Sequence, residues 1–139
     1  MNPLNLLRAV CWLALLAPSA AAAAQVQTVF ATDFGAVGDG RTVNTAALQA
    51  ALDHVGDAGG GTLVIPPGTF VTGTLVLRSN TEVHLKPGSV LLGSPLLSDY
   101  ARAGNGNQMG MIFAQDVENL VLQDVTLADS PFWALHVAD

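Results

Sequence analysis

The stretch TDFGAVGDGRTVNTAALQAALDHVGDAGGGTLVIPPGTF, residues 32–70, places a glycine turn, a helical pattern, three consecutive glycines and an apolar run in one order. Leu48, Leu52 and Val55 stand at i, i+4 and i+7 and so share one helical face. The spacing predicts one short amphipathic helix over residues 44–55, within about two residues at either end. Asn44 or Thr45 is placed to cap its first turn. Gly56 and the run Gly59, Gly60 and Gly61 end it, because glycine adopts positive φ without a Cβ clash.

Beyond Val55 the period changes. Leu63-Val64-Ile65, Leu75-Val76-Leu77, Val83-His84-Leu85, Val90-Leu91-Leu92, Met111-Ile112-Phe113, Leu120-Val121-Leu122 and Val125-Thr126-Leu127 are short apolar runs separated by Gly, Pro, Asn or Ser. That is the pattern of strands joined by tight turns, and no second helix is expected. An antiparallel sandwich and a stacked solenoid both use such strands. An internal echo favours the solenoid. Asn80 leads through Val83-His84-Leu85 and Val90-Leu91-Leu92 to Ser94-Pro95, and Asn119 leads through Leu120-Val121-Leu122 and Val125-Thr126-Leu127 to Ser130-Pro131. Asn105-Gly106 sits in a glycine-rich loop without alternating strands beside it, so hairpins are not expected. A solenoid exposes an apolar cross-section at each end. The helix face is suited to cover the first of about three coils, and no comparable cap follows Trp133. The sequence therefore reads as an all-β, right-handed parallel β-helix with a capping helix, incomplete at its C-terminus, and as a piece of a longer protein.

Upstream of the quoted stretch, Arg8, an apolar run over residues 9–17, Pro18 and an alanine tract form an export signal over residues 1–24, with cleavage expected before Gln25. The apolar core is half the roughly 20 residues that a spanning helix needs. Cys11, the single cysteine, leaves with the signal, so the mature chain has no thiolate or disulfide chemistry. Residues 25–139 suffice for one domain. They carry four basic and eleven acidic residues, a formal charge of −7. Nucleic acid and anionic membranes need clustered Lys and Arg, so neither is an expected partner. A secreted or periplasmic location follows from the signal.

DFGAVGDG (residues 33–40), NTAALQAALD (44–53), GGGTLVIPPGTF (59–70), LVLRSNTEVHL (75–85) and SPFWALH (130–136) resemble the N-terminal part of pectate-lyase-like β-helix enzymes. Within these, SPFW followed by LH is similar to the polygalacturonases, glycoside hydrolase family 28. The first motif is shared with tailspikes and epimerases and specifies the fold. The resemblance implies hydrolysis of α-1,4 galacturonosyl bonds in pectic polysaccharide without a metal cofactor. The family's Asn-Thr-Asp, Asp-Asp, Gly-His-Gly and Arg-Ile-Lys segments do not occur in the 139 residues. No catalytic, cofactor-binding or metal-binding residue is therefore assigned, and this chain alone is expected to be inactive. A non-catalytic β-helix module such as a surface adhesin or tailspike base, and a lyase or epimerase relative, are the alternative readings.

Other features invite sharper chemistry. Residues 35–42 approach a phosphate-binding loop, but Arg41 stands where lysine is required. Asp116, Glu118, Asp124 and Asp129 are spaced as turn and outward strand positions, so a solvated face is expected over calcium or acid-base work. His54, His84 and His136 are dispersed, whereas a metal needs converging ligands. Phe132 and Trp133 are expected to pack in the core, and Tyr100 is expected to be the exposed ring.

Overall fold

The computed structural model describes residues 26–100, 102–103 and 108–138. The expected export signal lies outside them. The described residues form four coils where about three were expected. The first holds β1 (Gln27–Phe30) and β2 (Asp39–Val43), followed by the helix α1 (Thr45–Asp57). The second holds β3 (Gly61–Ile65), β4 (Gly68–Thr72) and β5 (Leu75–Val76). The third holds β6 (Thr81–Leu85), β7 (Ser89–Gly93), β8 (Arg102–Ala103) and β9 (Gln108–Gln115). The fourth holds β10 (Val121–Gln123), β11 (Leu127–Ala128) and β12 (Trp133–Ala138).

Strands of successive coils pair in parallel along three faces: β1-β3-β6-β10, β2-β4-β7-β11 and β5-β9-β12. This is the right-handed parallel β-helix that the strand pattern implied, with the hand that parallel crossovers take. Stacking in register puts like residues above one another. Val29, Leu63, Val83 and Leu122 form one inward ladder, Phe70, Leu91 and Leu127 a second, and Leu75, Ile112 and Leu135 a third. Most of these side chains are buried, and each fully buried leucine or phenylalanine contributes about 1.5–3 kcal/mol.

The sequence echo is the stacking of the fourth coil on the third. Val83 pairs Leu122, 39 residues on, while Leu91 pairs Leu127, 36 residues on, because the intervening turn is three residues shorter. Asn80 and Asn119 both take left-handed backbone, and the Asn119 amide donates to Asn80 Oδ1 at 2.9 Å. Phe113 pairs His136 only 23 residues on, since the third coil makes an excursion between β7 and β9. In that excursion β8 pairs β9 antiparallel and brackets residues 104–107. A hairpin therefore exists where none was expected; Asn105-Gly106 lies between its strands, outside the described residues.

The helix runs one residue later at its start and two later at its end than the spacing predicted. Its end is a Schellman motif: Gly60 N–H donates to Val55 C=O and Gly59 N–H to Gly56 C=O, with Gly59 at φ 89°. The expected side-chain cap is absent, because Asn44 is spent elsewhere. Its Oδ1 accepts from Val37 N–H at 2.7 Å, and its Nδ2 donates to the carbonyls of Val37 and Thr42. Thr45 Oγ1 accepts from Gly73 N–H, which ties the helix start to the second coil. Leu48, Ala51, Leu52 and Val55 are fully buried over that coil. Gln49 completes the cap: its Oε1 accepts from Val76 N–H at 2.9 Å and its Nε2 donates to Val76 C=O at 3.1 Å. One amide side chain thus satisfies the edge backbone of β5 as a neighbouring strand would.

Candidate functional site

Five backbone donors of the turn between Ala31 and Val43 are committed within the fold. Gly35 and Ala36 N–H bond Thr32 and Ala31 carbonyls, Val37 N–H bonds Asn44, and Arg41 and Thr42 N–H both bond Asp39 Oδ1. A phosphate cradle needs those amides free, so the loop shapes a corner and does not hold a nucleotide. Asp39 also accepts from the Thr42 hydroxyl. These three bonds hold its carboxyl at about 2, below the ordinary carboxylate value.

The four carboxylates singled out from the sequence do not converge. Asp116, Asp124 and Asp129 take left-handed φ of 51–55°, as turn residues do, and all four are exposed. Asp124, exposed, lies 3.6 Å from the half-buried His84. His54 meets Gln27 and the ring of Phe34 at the cap, and His136 stacks on Phe113 with centroids 5.0 Å apart. Among the described residues no three His, Cys, Asp or Glu side chains gather into a metal site. An inverting glycosidase needs an acid and a base flanking one bond, about 6.5–9.5 Å apart. The described carboxylates offer corners and outward strand positions instead.

The aromatic expectation is reversed at one corner. Tyr100 is buried, with its hydroxyl donating to Ser94 C=O at 2.9 Å and its ring edge-on to Phe132. Burial, reinforced by the neighbouring Asp99 charge, raises its pKa, and the Ser94 bond only partly opposes this. The loop folds back because Gly73 and Gly93 leave room: a Cβ on Gly73 would collide with Asp99 C=O, and one on Gly93 would sit 2.9 Å from the Tyr100 hydroxyl. Ser94 Oγ bonds Asp99 Oδ2 and locks the turn. Phe132 and Trp133 are 40% and 67% exposed, so neither fills the core. Trp133 shares the inward register of Leu135 and Val137 on β12, yet no further coil lies over it among the described residues.

A cleft of about 430 Å³ opens on the outer side of the second face, lined by Arg41, Val43, Val71, Leu92, Pro95 and Leu96. Val43, Val71 and Leu92 are paired across three coils, so one outward position repeated three times makes an aliphatic floor. Along the sequence Arg41 stands out only as a mismatch to a phosphate loop. The recoverable signal was the apolar residue at outward positions of β4 and β7, where solvent-facing strands usually carry polar groups.

Comparison with known proteins places this architecture. Residues 28–131 match the model of the rhamnogalacturonase A/epimerase, pectate lyase-like family. The exo-poly-α-D-galacturonosidase of Dickeya chrysanthemi is 43% identical over 72 residues, which is 52% of this chain and 12% of that protein. Mannuronan C5-epimerase AlgE3 of Azotobacter vinelandii is 32% identical over 101 residues, covering 68% of this chain and 6% of that protein. The crystal structure of the Thermotoga maritima exopolygalacturonase superposes with a TM-score of 0.63 at 28% identity, over 74% of this chain and 25% of that one. This chain thus spans a small part of the length of these relatives. With the capped solenoid, the coil register and the family match in agreement, the chain belongs to the rhamnogalacturonase A/epimerase, pectate lyase-like family.

Proposed function

We propose that the chain is the capped N-terminal portion of an exported polygalacturonase-type glycoside hydrolase that acts on pectic polysaccharide, with residues 1–24 as the export signal and residues 25–139 as the cap and first coils. The observation that carries the reading is the likeness to galacturonosidases in both sequence and structure, combined with the SPFWALH segment, which lies at and along β12 of the third face. No helix among the described residues is long and apolar enough to cross a membrane.

The role of these residues is mechanical. They close the solenoid at one end and present β12 as the platform for a further coil. Acid and base groups would come from the Asn-Thr-Asp, Asp-Asp and Gly-His-Gly segments that the family resemblance implies and these 139 residues lack. General acid-base help is typically worth about 10²–10⁴-fold, so a chain without a carboxylate pair loses proton transfer and water activation together. The purified chain is expected to release no reducing ends from polygalacturonate. Hydrolysis that survives purification and vanishes in Asp116→Asn or Asp129→Asn would overturn this. Sequencing the gene past codon 139 tests the wider reading: these three segments support the hydrolase, and a frame lacking them refutes it. The likeness to a mannuronan epimerase favours one second reading, a uronate epimerase or lyase, which the same sequencing separates.

A further inference from the structure

We infer that the cleft over the second face binds a uronate unit of an acidic polysaccharide, with Arg41 taking its carboxylate and the Val43-Val71-Leu92 floor taking the apolar face of its ring. The ligand class rests on the pectic reading above; the location rests on charge and shape. Arg41 is exposed, lines the cleft and, among the described residues, has no carboxylate within ion-pair distance, whereas Arg78 is engaged by Asp53 and Asp57. The adjacent Asp39 makes no ion pair with the Arg41 guanidinium; its oxygens accept from the turn amides and the Thr42 hydroxyl. The bond from Arg41 N–H to Asp39 at 2.9 Å instead fixes the backbone that carries the guanidinium.

A guanidinium presents a planar fork matched to a carboxylate. Beside it, the floor is aliphatic, and Leu96 at 58% exposure forms one wall. A ligand for such a site carries an anion on one edge and a C–H surface on the other, and a uronic acid ring has both. The volume falls within the roughly 300–1,000 Å³ of small-molecule sites. A formal charge of −6 over the whole chain opposes a long polyanion, so the site favours short or sparsely charged segments.

The test is a titration of the isotope-labelled chain with trigalacturonate, trimannuronate and neutral galactotriose, followed by NMR at the Arg41 side-chain N–H and the Val43 and Leu92 methyls. Trigalacturonate is expected to shift all three probes. Arg41→Gln is expected to weaken binding by about fivefold or more while leaving the rest of the spectrum in place, and Arg41→Lys to retain part of it. Equal affinity in Arg41→Gln, equal binding of galactotriose, or shifts confined to other faces would overturn the site. Response to trimannuronate but not trigalacturonate keeps the uronate site and removes the pectic reading, so the two failures are distinct.

Discussion

At the N-terminal end of the solenoid, α1 holds Leu48, Leu52 and Val55 at 1% exposure or less, while the fourth coil leaves Trp133 and Val137, in the inward register of β12, at 67% and 63%. The contrast does not lie in residue type. Leu135 stacks on Ile112 as Ile112 stacks on Leu75, yet Ile112 is buried and Leu135 is 42% exposed. In a solenoid, burial is conferred by the next layer. The edge backbone shows the same asymmetry, since Gln49 closes β5 and among the described residues no side chain does this for β12.

The largest expected effect separates the two ends directly. Leu48→Ala removes a fully buried anchor of the cap and should cost about 2–5 kcal/mol by urea denaturation, enough to unfold a marginal domain. Leu135→Ala, at the open end, should cost less than about 1 kcal/mol. Equal losses would erase the distinction between capped and open ends.

Gln49→Ala sharpens it at the level of hydrogen bonds. It unpairs the N–H and C=O of Val76 at an accessible edge, so a loss of about 1 kcal/mol is expected. Hydrogen exchange at Val76 should accelerate while exchange at Ile112, deep in the same face, stays unchanged. Acceleration spread evenly over both would show that the amide clamp is not local.

Trp133→Ser should leave stability within about 0.5 kcal/mol, as for exposed sites generally. It should reduce concentration-dependent light scattering, because open strand edges beside exposed apolar residues template association. Unchanged scattering would place self-association elsewhere on the molecule.

The smallest effect belongs to Asp39, fully exposed in the first coil. Its folded pKa of about 2 lies below the ordinary 3.8. Its stabilisation is therefore present above about pH 4 and lost as pH falls towards 2. Asp39→Asn should lower the urea midpoint at neutral pH and converge with the parent near pH 2. A difference constant across that range would indicate lost geometry and not lost charge.

Local patterns were legible without coordinates. The 3.6-residue apolar spacing located α1 to within two residues, and the apolar triplets located β3, β5, β6, β7 and β9, because those side chains meet a core whichever coil supplies it. β1 and β2 gave no such signal: β2 reads Asp-Gly-Arg-Thr-Val and is held by the Asp39 turn and by pairing with β4, not by an apolar face. The polar loop around Tyr100 suggests an exposed ring, yet it is buried, because Gly93 leaves space for its hydroxyl and Gly73, in the preceding coil, leaves space for the neighbouring Asp99.

The sequence by itself determined the fold class, the capping helix, the glycine stop and the absence of an acid-bearing motif, since each depends on residues near one another along the chain. Only the tertiary structure decided that Asn44 would serve the turn and not the cap, that Gln49 would complete a sheet, and that Val43, Val71 and Leu92 would form one floor beside Arg41. Those outcomes depend on which coil lands above which, and stacking register is set by contacts between residues tens of positions apart that no local pattern encodes.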